Sequence, residues 1–284
     1  MVAHMPGSNH DLRGDVLNDR FYMAGGLTAE YGYPMQSHAY SELFEFDAEE
    51  NKWRVVADLG HQRIYCATGV LKGNLWVVGG DIIHLQGKRT TTRLSQKVDP
   101  KKGEVENTIP LNVDLSAPLA FNLQERLYVL GYKNGLGDKE MPLYVASIAD
   151  GDKQWREEPL GPLGRGAIYG SLHQGRISIV VANKYLAMLD PVKGKWDTVE
   201  LPLKVRSPQV ASLHDELWLM GGRDIENQAL VQVYNTKNKQ WRNGPDLPRE
   251  LAWGVGFTLK GNLYVTGGAA GSSYNNRTFR LKRK

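Results

Sequence analysis

Residues 74–80 read NLWVVGG and residues 262–268 read NLYVTGG. One apolar run closed by two glycines is commonplace, but the same run written twice, far apart in one chain, points to a repeat. Aligning the sequence on that glycine pair gives six copies. They are RFYMAGG ending at Gly26, NLWVVGG at Gly80, RLYVLGY at Tyr132, RISIVVA at Ala182, ELWLMGG at Gly222 and NLYVTGG at Gly268. Successive copies are 54, 52, 50, 40 and 46 residues apart. A period near that length belongs to propellers and solenoids, whose units bury their apolar faces against one another.

Each unit has the same internal order. An apolar strand leads to a tight turn, such as LKGN at 71–74 and LKGN again at 259–262. Turns rich in Gly, Asn and Asp supply positive φ cheaply and so join antiparallel strands. The strand ending in Gly-Gly follows, then a variable loop, then a third strand that runs through a turn to a tryptophan. FEFDAEENKW ends at Trp53, ASIADGDKQW at Trp155, LAMLDPVKGKW at Trp196 and VQVYNTKNKQW at Trp241, while Val105 stands at this place in the second unit. No helix longer than a turn is predicted.

This pattern resembles the kelch repeat. The resemblance covers essentially the whole chain and weakens in the third and fourth units, where Gly-Gly becomes Gly131-Tyr132 and Val181-Ala182. It implies an all-β, six-bladed β-propeller with four-stranded antiparallel blades around a central channel. The expected blades are about 7–58, 61–110, 113–160, 163–201, 203–246 and 249–284, the last completed by residues 2–6. The blade tryptophans are expected to pack between neighbouring blades. Residues 2–26 align without a gap onto residues 244–268. The N-terminal VAHMP is therefore expected to supply the outer strand of blade six. That would cover a sheet edge otherwise open to aggregation and make residues 1–284 one complete ring.

Composition bounds the function classes. The net charge of +4 is spread along the 284 residues, so no nucleic-acid partner is expected. No apolar run approaches the roughly 18 residues of a membrane span, and the N-terminus lacks the layout of a signal peptide. Cys66 is the only cysteine, which precludes an intrachain disulfide and fits a reducing compartment. A cytoplasmic monomer is expected. GDIIHLQGKRT at 80–90 has too long a spacer for a phosphate loop, GLGDKE at 135–140 lacks a third glycine, and no GxSxG occurs.

A propeller carries its chemistry on loops at the channel mouth. The loops after the glycine pairs (27–40, 81–92, 133–142, 183–184, 223–229 and 269–276) run from two residues to fourteen, so the rim is lopsided. Aligning the connections between units puts Arg63 and Arg165 in one column, His10 and Arg206 in the next, and Arg13 beside Tyr169 further in. The candidate ligand-binding residues are Arg13, Arg63, Arg165, Arg206, Arg223, Tyr132 and Trp253, with Tyr65, Tyr169 and Tyr274 nearby. Arginines converging among aromatic walls suit a carboxylate, a phosphate or an acidic peptide, through forked charge-assisted hydrogen bonds. His10, His38, His61 and His84 map to the same face. No HxH, HExxH or CxxC spacing accompanies them, so no metal and no cofactor is expected.

Two functions fit this reading. The first is a binding module whose mouth recognises an acidic peptide or protein, or an anionic small molecule. The second is a non-redox enzyme, an isomerase, cyclase or hydrolase, acting on an anionic substrate. Its acid–base candidates are His10, His61, Tyr65 and Tyr169. Kelch-like enzymes, including sialic-acid mutarotases and copper oxidases resembling galactose oxidase, keep that second reading open, although Cys66 beside Tyr65 does not establish the cross-link a copper oxidase needs.

Overall fold

The computed structural model describes residues 2–28, 38–84, 87–115, 117–133, 139–224, 228–271 and 273–281. Among these residues there is no α-helix, and six main antiparallel sheets follow one another along the chain. The first contains Arg13–Leu17, Arg20–Ala24, Glu42–Asp47 and Lys52–Asp58. The second contains Ala67–Leu71, Asn74–Val78, Ser95–Asp99 and Glu104–Asn107. The third, fourth and fifth repeat that order, beginning at Leu119–Leu123, Tyr169–His173 and Gln209–Leu213. The sixth has three strands: Val255–Leu259, Asn262–Thr266 and Thr278–Leu281.

The first hairpin of each sheet shows how sequence sets local shape. Lys72 and Gly73 have φ of 48° and 74°, Asn18 and Asp19 have 49° and 58°, and Lys260 and Gly261 have 49° and 72°. Two consecutive positive φ values match the right-handed twist of the flanking strands. Gln124 and Glu125 hold the same shape at 51° and 58°. Here the surrounding sheet overrides local preference.

The first strand of each sheet contacts the first strand of the next, and that of the sixth contacts that of the first. These strands have no backbone ladder between them, so side chains cap their free edges. Asn122 Nδ2 donates to Val70 O at 2.6 Å, Thr68 Oγ1 to Arg13 O at 3.4 Å and Thr258 Oγ1 to Ser212 O at 2.5 Å. The apolar cores lie between consecutive sheets. Trp76 of the second packs with Leu127, Val129 and Tyr144 of the third. Phe21, Phe46 and Trp53 of the first pack with Phe257 and Tyr264 of the sixth, and with Met5.

The glycine pair is where one sheet grips the next. The second glycine donates its N–H to a carbonyl on the approach to the following sheet: Gly26 to Arg63 at 2.9 Å, Gly80 to Leu115 at 3.0 Å and Gly222 to Leu251 at 2.6 Å. Gly268 makes the same bond to Asn9 at 2.8 Å. Both glycines need positive φ, as in Gly79 (63°) and Gly80 (82°), and a Cβ on Gly80 would stand 2.6 Å from Ile64 O and 2.7 Å from Cys66 N. In the fourth unit Ala182 (50°) and Asn183 (56°) adopt the left-handed turn without glycine.

At the N-terminus, Val2 N donates to Thr278 O (2.9 Å), Thr278 N to Ala3 O (3.2 Å) and Met5 N to Asn276 O (2.7 Å), around a bridge between His4 and Arg277. The tryptophans divide into two kinds. Trp53 and Trp155 are buried, and their Nε1 atoms donate to Thr278 Oγ1 (3.0 Å) and Ile109 O (2.9 Å). Trp196 and Trp241 are only half-buried, and Trp241 leans on the Tyr234 ring. As expected they pack between sheets, Trp196 against the cluster joining the third and fourth and Trp241 against the one joining the fourth and fifth, but the cover is only partial.

Two glycine substitutions separate space from backbone conformation. Gly80→Ala meets both a left-handed φ and two backbone atoms, so it should cost more than about 2 kcal/mol. Gly73→Ala has a similar φ with nothing within 4 Å of its Cβ and should cost about 1 kcal/mol. Urea denaturation of the two variants measures the difference.

Candidate functional site

Above the sheets the connections form a regular collar. His10 bridges Leu27, Ile64 pairs with Asp81, Arg206 bridges Arg223 and Ala252 bridges Ala269, with 17 residues between partners each time. The residue after each of these is left-handed: Asp11 (58°), Tyr65 (55°), Ser207 (51°) and Trp253 (60°). These residues are also linked through their backbones. Trp253 N donates to Ser207 O at 3.2 Å, Asp11 N to Trp253 O at 2.9 Å and Tyr65 N to Asp11 O at 3.1 Å. Large side chains rarely adopt this conformation unless surrounding structure imposes it. Here the collar bonds impose it.

The collar gathers many of the expected residues. The Arg223 guanidinium lies 5.2 Å from the Trp253 ring centre, and Arg206 and Arg223 exchange backbone hydrogen bonds of 2.7 and 2.9 Å. His10 stacks on Tyr274 at 4.5 Å and 6°, with Trp253 at 6.4 Å. Its Nδ1 is 2.8 Å from Asp11 Oδ2, ion-pair range when the ring is protonated. Burial pushes the Tyr65 hydroxyl above the ordinary phenol range, and the adjacent Asp11 carboxylate and Tyr169 hydroxyl add to the shift. Burial likewise raises Tyr169, while Arg13 beside it opposes the rise. Neither phenol ionises at neutral pH, and the Tyr169 hydroxyl is buried without a hydrogen-bond partner among the described residues.

Arg13 closes the floor of this cluster. Its guanidinium sits 4.5 Å from the Tyr169 ring centre and donates to Leu12 O (2.9 Å) and Ile168 O (3.2 Å), the latter three sheets further along the chain. Its Nε is buried without a partner, as is Asp11 Oδ1. Asp11 escaped the sequence reading because one aspartate among charged loop residues carries no periodic signal. Its column with Tyr65, Ser207 and Trp253 was the cue available.

Two other expected residues, Arg63 and Tyr132, are buried instead. Arg63 was placed on a rim loop outside the blade packing; instead it is fully buried. Its column faces the seam between sheets, where Leu115, Val205 and Leu251 are buried too. The guanidinium donates to Gln96 Oε1 (2.9 Å), Leu94 O (3.1 Å) and Gly79 O, and burial pulls its pKa below the ordinary value. Tyr132 is also buried, under Gly164. Arg165 and His61 are exposed. His84 is exposed and bonds Thr90 at 3.0 Å, and the His38 side chain lies outside the described residues. No group of three metal-ligating side chains occurs among the described residues. No helix there is long and apolar enough to cross a membrane.

Below Arg13 the channel forms a cavity of about 440 Å³ lined by the first strands of all six sheets. Asp15 stands in its wall. Burial pushes its carboxyl up from 3.8 to about 7, against the N–H groups of Val16 and Val70, which favour the charged form.

Repeated four-stranded antiparallel sheets, a double-glycine clasp and a tryptophan closing the third-strand turn define a kelch-type β-propeller, and this chain is one. It is 22% identical over 277 residues to human Kelch repeat and BTB domain-containing protein 12, covering 91% of this chain and 38% of that protein. It is 25% identical over 256 residues to zebrafish Kelch-like protein 26, covering 84% of this chain and 40% of the relative. The chain thus spans well under half the length of these relatives. The solved structure of YjhT superposes with a TM-score of 0.80 over 100% of this chain and 97% of that one, at 15% identity. That likeness is one of fold. No family model matches.

The channel carboxyl makes stability depend on pH. Because its folded pKa is raised, the stabilisation is fully present below about pH 4 and is lost as pH rises through about 7. Asp15→Asn should therefore change stability little at pH 4.5 and raise it by roughly 1–3 kcal/mol at pH 8, the cost of charging the group being discounted for partial solvent access. Urea unfolding at the two pH values measures this. A larger gain at the acid end is the opposite of what the cavity wall implies.

Proposed function

We propose that residues 1–284 form one six-bladed kelch propeller, closed by residues 2–6, whose collar mouth binds a partner protein through an acidic segment. The carrying observation is the pairing of Arg206 with Arg223 beside Trp253. Among the described residues neither arginine makes an ion pair with a carboxylate. Their guanidinium groups are thus available for forked bonds to an incoming carboxylate, and the Trp253 and Tyr274 rings supply apolar wall. Asp11 brings an opposing charge to the cluster through its contact with His10. The continuation of the glycine clasp from Gly268 to Asn9 supports the closed ring. The names of the kelch and BTB relatives, which belong to larger proteins, are compatible with a binding role.

A second reading rests on His10, Asp11 and Tyr65 meeting at the same mouth. There they could exchange a proton with an anionic substrate held by the arginines. The two readings separate on His10→Ala and Tyr65→Phe, which abolish turnover in an enzyme and alter affinity only modestly in a binder.

Hexaglutamate is a suitable probe of the mouth. Arg206→Ala and Arg223→Ala should each weaken its binding by about 1 kcal/mol, and raising salt should weaken it further, because both charges are near solvent. Arg63→Ala should lower the melting temperature and leave affinity nearly unchanged. Fluorescence anisotropy with a labelled peptide reads the affinities. Equal binding by the Arg206→Ala, Arg223→Ala double variant and the native chain would sink the anionic-partner reading.

A further inference from the structure

We propose that the channel below Arg13 is a second binding site, for a small ligand carrying a primary ammonium group, with Asp15 as its counter-ion. This site is separate from the collar mouth, and its ligand is a different one.

The cavity, at about 440 Å³, falls within the range of small-molecule sites. Its polarity is one-sided. Thr68, Ser171 and Thr258 each donate their hydroxyl proton to a backbone carbonyl: Arg13 O at 3.4 Å, Leu172 O at 3.3 Å and Ser212 O at 2.5 Å. Asn122 commits its amide nitrogen to Val70 O at 2.6 Å. What the three hydroxyls have left is lone pairs, and Asn122 keeps its side-chain oxygen and one N–H. Asp15 adds a carboxylate, an acceptor only when ionised. A wall with more free acceptors than free donors suits a ligand head with several donors and no acceptor, and an ammonium group with three N–H bonds is such a head. Phe121 and Phe257 also line the cavity, giving an apolar body a place to rest.

The charges around Asp15 permit this. Only Arg13 and Asp15 are charged among the lining residues, and Arg13 spends its terminal nitrogens on Leu12 O and Ile168 O. On the neighbouring strand Tyr22 lies opposite Asp15 in register, but its hydroxyl donates to Glu45 at 2.6 Å. His173 reaches Ser212 Oγ at 2.7 Å from the fourth sheet, and burial lowers its pKa, which favours the neutral ring. Among the described residues no cation forms an ion pair with Asp15, since Arg13 directs its terminal nitrogens to those carbonyls instead. An ammonium would form one and draw the proton off the carboxyl.

The test uses 2-phenylethylamine as probe, with 2-phenylethanol as its uncharged counterpart, by titration calorimetry of the full chain. The amine should bind saturably at one site and at least about tenfold more tightly than the alcohol. Near pH 7, binding should release a fraction of a proton, seen as a heat that depends on the ionisation enthalpy of the buffer and fades by pH 9. Asp15→Asn should weaken amine binding about tenfold or more and abolish the proton release. Ser171→Ala, which removes one acceptor with little threat to folding, should weaken it about threefold. The Arg206→Ala, Arg223→Ala variant should bind the amine as the native chain does, which separates this site from the mouth. Absence of saturable amine binding overturns the proposal, as does undiminished binding in Asp15→Asn and Ser171→Ala.

Discussion

The fold depends on a hydrogen bond between sheets that share no strand. Each sheet of a propeller is complete in its own backbone ladder, so packing alone would let neighbours slide. The second glycine of the pair prevents that by presenting an N–H to a carbonyl of the following sheet, as Gly80 does to Leu115 and Gly268 to Asn9. The bond forms where the chain turns with positive φ and no Cβ intervenes, and this is why the Gly-Gly dipeptide closes four of the six units. The same carbonyl belongs to the residue just ahead of the collar position. One bond thus fixes the seam and sets the height of the mouth.

From that clasp the rest of the architecture follows in order. Because the approach to each sheet is pinned, the next residue can bridge to its partner 17 positions on, and the one after it is forced left-handed. Aspartate, tyrosine, serine and tryptophan occupy that strained position in four sheets, and backbone hydrogen bonds link them in series. Strain is tolerated because three collar bonds over-determine it. Mouth chemistry is therefore carried on the rigid approach to each sheet.

Much of the architecture was legible in the sequence because repeat, turn and glycine signals are local and periodic. The kelch pattern, the antiparallel hairpins and the all-β class came from those signals. The mouth was only partly legible. His10, Arg206, Arg223 and Trp253 aligned by column and do lie together, since the columns track a real backbone geometry. Arg63 misled because a charged residue in a loop reads as exposed, whereas its side chain lies in a seam where three neutral oxygens accept from its terminal nitrogens. Tyr132 misled in the same way, as a polar-tipped residue at a rim position that packing covers. Asp11 was missed because nothing in a single aspartate announces a turn, and the fate of Trp196 and Trp241 hinged on how far the next segment covers them.

Arg13 has a mechanical consequence. A ring of separately folded sheets is stiff along each seam but soft in cross-section, because small slips at several seams can sum to an oval. Arg13 reaches from the first sheet to a carbonyl of the fourth and stacks on its neighbour Tyr169, acting as a tie-rod across the bore. Any ligand pressing on the collar must work against that strut, and any ligand entering the lumen meets its underside. The width of the bore is thus a variable that both ends share, and one guanidinium sets it.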